Sequence, residues 1–278
     1  MYHKVFFFFI GLIPSISIYA QPYFDVAGMS GWHMPGNLND DGVSETESYF
    51  FVSLPVDLSS KCKLIISPSY ENRLLQTEGE NKSINLKSST IPIALRWQPR
   101  DSSWSFLGLA AFRSNSTQFR FNGDVFQIAG AAIANYKVSP TLTFKAGAYL
   151  SREFYGNFFM ILAGIDWKIN KRLNLFGFVN SNLRLDYHLS KNIFGGFAFK
   201  SINTSFREKN KKSYYKLSDN HLCAYADVSL GKKIIWNIEA GHTIFRYIKS
   251  RNGAEFQEIN QDGFIFKSGI AYRIRFND

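Results

Sequence analysis

His242 and Ser268 supply the residue types of a general base and a nucleophile. A histidine that takes the hydroxyl proton prepares a serine for acyl attack, and two such residues facing a bilayer would suit a lipid ester. Counting through the turn between them places the two roughly opposite each other on neighbouring strands. No third residue to orient the imidazole and no oxyanion donors accompany the pair, so the chemistry stops short of a triad. The plainer account is an interfacial histidine and a tolerated small polar residue.

A larger set of charges shares one phase of the alternating segments. Lys145, Lys168, Arg184 and Lys200 belong to it, as do Lys267, Arg273 and Arg275. Asp166, Asp186, Asp227 and Glu239 balance them, and Leu107, Leu109, Leu162 and Phe245 fall in the same phase. Charged side chains lining a water-filled passage set ion selectivity, and the same groups paired with one another plug a lumen. Lys267, Arg273 and Arg275 project from one strand beside Glu239, which predicts a mildly anion-favouring field if the passage is open.

Other candidates are weaker. Asn37-Leu38-Asn39-Asp40-Asp41-Gly42, followed by Glu45 and Glu47, begins like a calcium loop. Ser48 stands where a bidentate Glu is required, so a solvated acidic outer loop is expected and no metal. Arg207-Glu208-Lys209-Asn210-Lys211-Lys212 is a basic run that could meet anionic lipid headgroups or simply be solvated. Cys62 and Cys223 allow one disulfide, but the alternation puts Cys62 beside a short turn and Cys223 near the opposite end of a strand. Two free thiols are therefore expected. No Cys/His metal spacing is present, and no cofactor is implied.

The segments that must position these residues are two-faced. From Phe264 to Phe276, Phe264, Phe266, Ile270, Tyr272, Ile274 and Phe276 fall on one side, and Lys267, Gly269, Ala271, Arg273 and Arg275 on the other. The same alternation recurs in Leu142–Leu150, Phe159–Lys168, Leu183–Leu189 and Ile234–Gly241. Trp97, Trp104, Trp167 and Trp236 lie close to short turns in the apolar phase, as an interfacial aromatic girdle requires. A soluble sandwich would also alternate, but would pack its apolar face inside and turn its charges outward.

Short connections at Leu58–Lys61, Pro99–Ser103, Ser139-Pro140, Asn170-Lys171, Ser190-Lys191 and Gly231-Lys232 alternate with longer ones. The longer ones are Met34 to Glu47, Leu75 to Ser89, Ser114 to Asp124, Asn203 to Asn220 and Lys249 to Asp262. Tight periplasmic turns opposite longer outer loops are the asymmetry of bacterial outer-membrane barrels. The count predicts one all-β domain over residues 21–278, a transmembrane antiparallel up-and-down β-barrel of about fourteen strands. About twelve is the alternative, because Leu173 to Leu189 must hold two short strands around Asn180-Ser181-Asn182.

Residues 1–20 have the layout of a secretory signal peptide: Lys4, an apolar run from Val5 to Ile10, and Tyr19-Ala20 before Gln21. Beyond it, no stretch approaches the length of a membrane helix, so any crossing is made by strands. The chain is 17% aromatic, with 27 Phe and a net charge of +10. That balance reads as a cationic lumen and loops near anionic headgroups; no recognition helix or stacking motif points to nucleic acid.

The runs Trp167–Leu175, Leu183–Leu189 and Ser190–Gly196 resemble a family of bacterial outer-membrane β-barrels of unassigned activity, known mainly from the Bacteroidota. The resemblance covers Phe159 to Phe276 well and the first half loosely, and it implies architecture only, with no catalytic residues to carry over. Outer-membrane proteins commonly end on an aromatic residue read by the assembly machinery; here Asn277 and Asp278 follow Phe276. The expectation is therefore a non-enzymatic protein of the cell outer membrane, in contact with its lipid and the assembly machinery, that passes or binds small solutes in porin-like fashion. The alternative is a closed structural or interaction barrel whose outer loops matter.

Overall fold

The computed structural model describes residues 22–36, 42–77, 83–208, 213–252 and 255–275. The expected signal peptide, Asn37–Asp41 of the acidic segment, 209–212 of the basic run and the terminal Phe276–Asp278 lie outside the described residues. Among the described residues all regular structure is strand: β1 (Tyr23–Met34), β2 (Val43–Val52), β3 (Leu54–Ser59), β4 (Cys62–Ile66), β5 (Ser69–Thr77), β6 (Ser83–Trp97), β7 (Trp104–Ser116), β8 (Phe126–Ser139) and β9 (Leu142–Glu153). The second half holds β10 (Gly156–Lys168), β11 (Leu173–Phe178), β12 (Asn182–Ser190), β13 (Ile193–Arg207), β14 (Tyr214–Ser229), β15 (Ile234–Thr243), β16 (Tyr247–Asn252), β17 (Glu255–Asn260) and β18 (Phe264–Arg275).

Four wall strands are each broken in two, at β2/β3, β4/β5, β15/β16 and β17/β18, so the segments form a closed antiparallel barrel of fourteen strands. β1 closes it, pairing Tyr23 with Arg275 on β18 and Trp32 with Glu47 on β2. The breaks have local causes. Pro68 has no N–H and follows Ser67 at the β4/β5 kink, where its carbonyl accepts from Val52 N (3.0 Å). At β15/β16 the carboxylate of Asp262 accepts from Phe245 N (3.0 Å) and Arg246 N (2.9 Å), holding Phe245 at a positive φ of 55°. Phe245 is consequently 80% exposed in this bend, so it does not share the lumen phase as expected.

The wall is inside-out relative to a soluble protein. Phe264 is 74%, Ile161 67% and Phe159 62% exposed, while Arg73, Glu45 and Asp227 are fully buried. A sandwich would invert that distribution; apolar side chains facing outward over a polar interior suit a barrel solvated by lipid.

The outer loops are shorter than the sequence pattern predicts. β13 and β14 pair without interruption up to Arg207↔Tyr214, and β16 pairs with β17 from Tyr247↔Asn260 to Asn252↔Glu255. Most of Asn203–Asn220 and Lys249–Asp262 is therefore strand. Polar residues occur in both phases of these stretches, so they lack the alternation that identifies a strand in sequence, even though Phe206, Leu217 and Ile248 are buried.

β11 and β12 are real strands, which settles the count at fourteen. Their hairpin depends on Gly177, whose φ of +122° favours glycine, and whose Cβ would lie 2.0 Å from Asn182 O. On the other side, a Cβ on Gly196 would fall 1.8 Å from Leu185 O, so β13 can approach β12 only as glycine. Beyond this point β13 leaves the wall and crosses the interior to β7. Arg207 bridges Ser116 in parallel, Thr117 N donates to Arg207 O (2.9 Å) and Asn115 Nδ2 to Ser205 O (3.1 Å).

Candidate functional site in the lumen

The lumen is filled in layers. Nearest the outer rim lies an apolar layer of Val43, Leu75, Leu86, Phe206, Leu217 and Ile248, buried and in mutual contact. Each comes from a different strand. The inward bend of β13 brings Phe206 into this layer, which reduces the outer circumference enough for six side chains to fill it.

Below it sits a charged layer. Arg73 forms ion pairs with Glu45 (3.0 Å), Glu47 (2.5 Å) and Glu71, and Glu45 also pairs with Arg246. Arg246 lies 3.9 Å from Asp219, which is bonded to His221 (2.6 Å). Trp32, the remaining tryptophan, is buried beneath this layer, with Arg73 5.5 Å from its ring and the His221 ring 5.1 Å away. Glu45 and Glu47 are therefore neither calcium ligands nor solvated loop residues, as the acidic segment suggested. They alternate with Val43 on the inner face of β2, and burial requires them to be paired.

A second polar cluster ties the crossing strand to the wall. Ser205 Oγ donates to Glu153 (2.7 Å) and accepts from Gln127 Nε2 (2.8 Å) and Phe154 N (2.9 Å). Arg113 pairs with the same Glu153 at 2.5 Å.

Most of the lumen residues expected from sequence gather toward the periplasmic rim. Arg273 pairs with Asp25 (2.5 Å) and with Asp227, whose carboxylate also accepts from Asn237 (2.6 Å). Lys267 lies 3.6 Å and Arg184 4.0 Å from Glu239; Tyr225 donates to Asp186 (2.7 Å) and lies 3.8 Å beneath the Arg184 guanidinium. Arg275 rests on Phe194 (3.3 Å) and Tyr23 (5.3 Å). Arg273 and Lys267, expected on the lumen side beside Glu239 and balanced by carboxylates, face carboxylates on β1, β14 and β15. The Nε and Nη2 atoms of both Arg184 and Arg275 are nevertheless buried without a hydrogen-bond acceptor.

Lys145 and Asp166 form a separate ion pair beside Phe178. They line a cavity of about 180 Å³ together with Arg96, Gln98, Asn135, Lys137, Leu107 and Ile133. Lys168 lies at the inner end of β10, and Lys200 stands apart, level with the β11–β12 turn.

Trp97, Trp104, Trp167 and Trp236 all lie exposed on the outer surface, and Trp104 packs 4.7 Å from Tyr136. Trp236 Nε1 donates to Ser268 Oγ at 3.0 Å. That contact, with the strand register, removes the nucleophile reading. His242 stands opposite Phe264 and Ser268 opposite Ile238, four residues further along, because the hairpin turns nearer to His242 than the count assumed. Cys62 and Cys223 are free thiols, as expected.

Sequence reasoning missed Asp25, Glu45, Glu47, Arg73, Glu153, Asp219 and Arg246. For Glu45 and Glu47 the signal was present as alternation, but the residues of opposite phase, Ser44, Thr46 and Ser48, are also polar.

No protein-family model matches this chain, and no curated protein does. Among solved structures it is similar to the KdgM porin in complex with disordered oligogalacturonate, at 10% identity over 88% of this chain and 98% of that one, TM-score 0.40. It is similar also to the NanC porin, at 10% identity over 89% and 100%, TM-score 0.41. The TodX monoaromatic hydrocarbon channel matches at 8% identity over 90% and 89%, TM-score 0.40.

Proposed function

We propose that this chain is an outer-membrane barrel of porin-like architecture that takes small solutes into its polar lumen and performs no chemistry on them. An apolar exterior with an aromatic girdle at the inner rim supports a lipid-facing wall, and the sequence resemblance to Bacteroidota barrels supports delivery by export and the assembly machinery. The observation that carries the solute reading is the buried guanidinium N–H groups of Arg184 and Arg275, which have no hydrogen-bond acceptor among the described residues. Unmet buried donors call for an occupant, and for guanidinium the matching group is an anion.

In the described conformation the outer apolar and charged layers close the path, so passage across the whole barrel needs them to move. That observation also favours a second reading, a closed interaction barrel. Two measurements separate the readings. Titration calorimetry with glucuronate, against glucose as the neutral control, is expected to show binding that Arg184→Gln with Arg275→Gln abolishes. In planar bilayers, Glu45→Gln should raise conductance above a low resting level by loosening Arg73 and Arg246. No binding together with silence in both proteins would leave the closed barrel.

A further inference from the structure

The β11–β12 hairpin is too short to complete the wall. At about 3.3 Å per residue and a tilt near 40°, the six residues of β11 rise roughly 15 Å, against an apolar band about 25 Å tall. The hairpin starts at the girdle, where Leu175 pairs with Trp167, and its tip ends inside the band. There Val179 N donates to Ala163 O (2.9 Å), Asn180 Nδ2 to Ile161 O, and Ser201 N to Ser181 O (2.7 Å).

Above the tip, β10 continues to Gly156 and β13 to Arg207, yet no backbone pairing joins them among the described residues. β13 has already turned inward to β7, so the outer edge of β10 stands without a strand partner. Hydrocarbon does not tolerate such an edge, because its N–H and C=O groups must be met by water, protein or a bound polar group. The surface beside the gap remains apolar, with Ile161 exposed outward and Phe158 and Met160 half-buried on the inner side.

Lys200 marks where the gap leads. It pairs across the ladder with Asn182 at the hairpin tip and with His221 on β14. His221 is 8% exposed and its neighbour Asp219 fully buried, whereas Lys200 is exposed. Lys200 is thus a lumen-phase cation reached by solvent, level with the break in the wall.

We propose that the gap between β10 and β13 is a lateral opening that admits a single-chain amphiphile with an anionic head from the outer leaflet, its tail along Phe158, Met160 and Ile161 and its head at Lys200. The inference rests on the lumen being a solute compartment and makes the membrane the source of the solute. Lys200 lies below headgroup level, so the head must leave the headgroup plane to reach it. A single-chain acid does this at lower cost than a two-chain lipid with a bulky headgroup.

The test is photo-crosslinking in the full-length protein refolded into phosphatidylcholine vesicles, with benzoylphenylalanine at Met160, Ile161 or Leu107 and labelled palmitate or hexadecanol added. Palmitate adducts are expected at Met160 and at the lipid-facing Ile161, with background labelling at Leu107 inside the continuous wall. Lys200→Glu should lower the palmitate adduct at Met160 by roughly five-fold, as removal and reversal of one nearby charge allows, and leave hexadecanol unchanged. Background labelling at Met160 would overturn the opening, indifference to Lys200→Glu would overturn the anionic head, and phosphatidylcholine adducts in place of palmitate would overturn the single chain. A protein that binds glucuronate without labelling Met160 keeps the solute reading and loses the side opening; one that labels Met160 without binding glucuronate does the reverse.

Discussion

In the inner half of the barrel every wall strand is hydrogen-bonded to both neighbours, from β10 through β11 and β12 to β13, whereas in the outer half β13 abandons that circuit and bonds to β7. The inner half keeps its full circumference and retains a cavity and buried arginine donors; the outer half contracts around an apolar layer and a charged one. A single short hairpin produces the difference. Where two strands stop early, the remaining strands can close on a smaller ring, and side chains that would line a channel become a core.

The largest expected effect breaks the contracted half directly. Glu45→Ala removes the carboxylate shared by Arg73 and Arg246, all of them fully buried, and should destabilise the barrel by about 3–5 kcal/mol. The matching change in the inner half, Glu239→Ala, touches a partly exposed group with longer contacts and should cost about 1 kcal/mol or less. Urea unfolding in lipid, followed by the loss of heat-modifiable migration, measures both; equal losses would mean the two halves are not packed differently.

Ser205→Ala comes next. It deprives Glu153, Gln127 and Phe154 N of a common partner, at about 1–3 kcal/mol, and loosens the seam that holds β13 against β7. Faster amide exchange is expected at Thr117, which bonds to Arg207, and not at Lys137, which bonds to Ser103 in the inner half. Uniform exchange at the two sites would show that the crossing is not a separate unit.

The smallest effect sharpens the placement of the inner half in lipid. Trp167→Asp puts a charge at the apolar interface and should cost about 1 kcal/mol, near the upper limit for that depth, while Lys168→Asp on the lumen phase should cost less. Folding yield into vesicles compares them, and a larger loss from Lys168→Asp would reverse the assigned phase.

What was legible in the sequence was whatever the bilayer itself imposes. Phe264, Phe266, Ile270 and Tyr272 alternate with Lys267 and Arg273 because one face meets acyl chains and the other does not, and the tryptophans lie by the short turns because indole is stable at an interface. The barrel class and the phase of the expected lumen charges follow from this period of two, and the alternation of short and long turns gave about fourteen strands with twelve left open. The extra strand length in β13, β14, β16 and β17 was hidden, since polar residues fall in both phases of those stretches.

Tertiary structure alone decided which charges meet and whether the lumen is filled. Period two assigns Arg273 a face, but its partners Asp25 and Asp227 sit on the first strand and on β14, brought near only by closure of the barrel and the stagger of its strands. The inward turn of β13 is likewise invisible in its own residues. It depends on Gly177 and Gly196 permitting close approach to β12, and on Asn115, Gln127 and Glu153 waiting across the lumen to satisfy Ser205. Alternation reports the solvent on each side of a strand, whereas the contacts across a lumen are set by how the whole sheet closes.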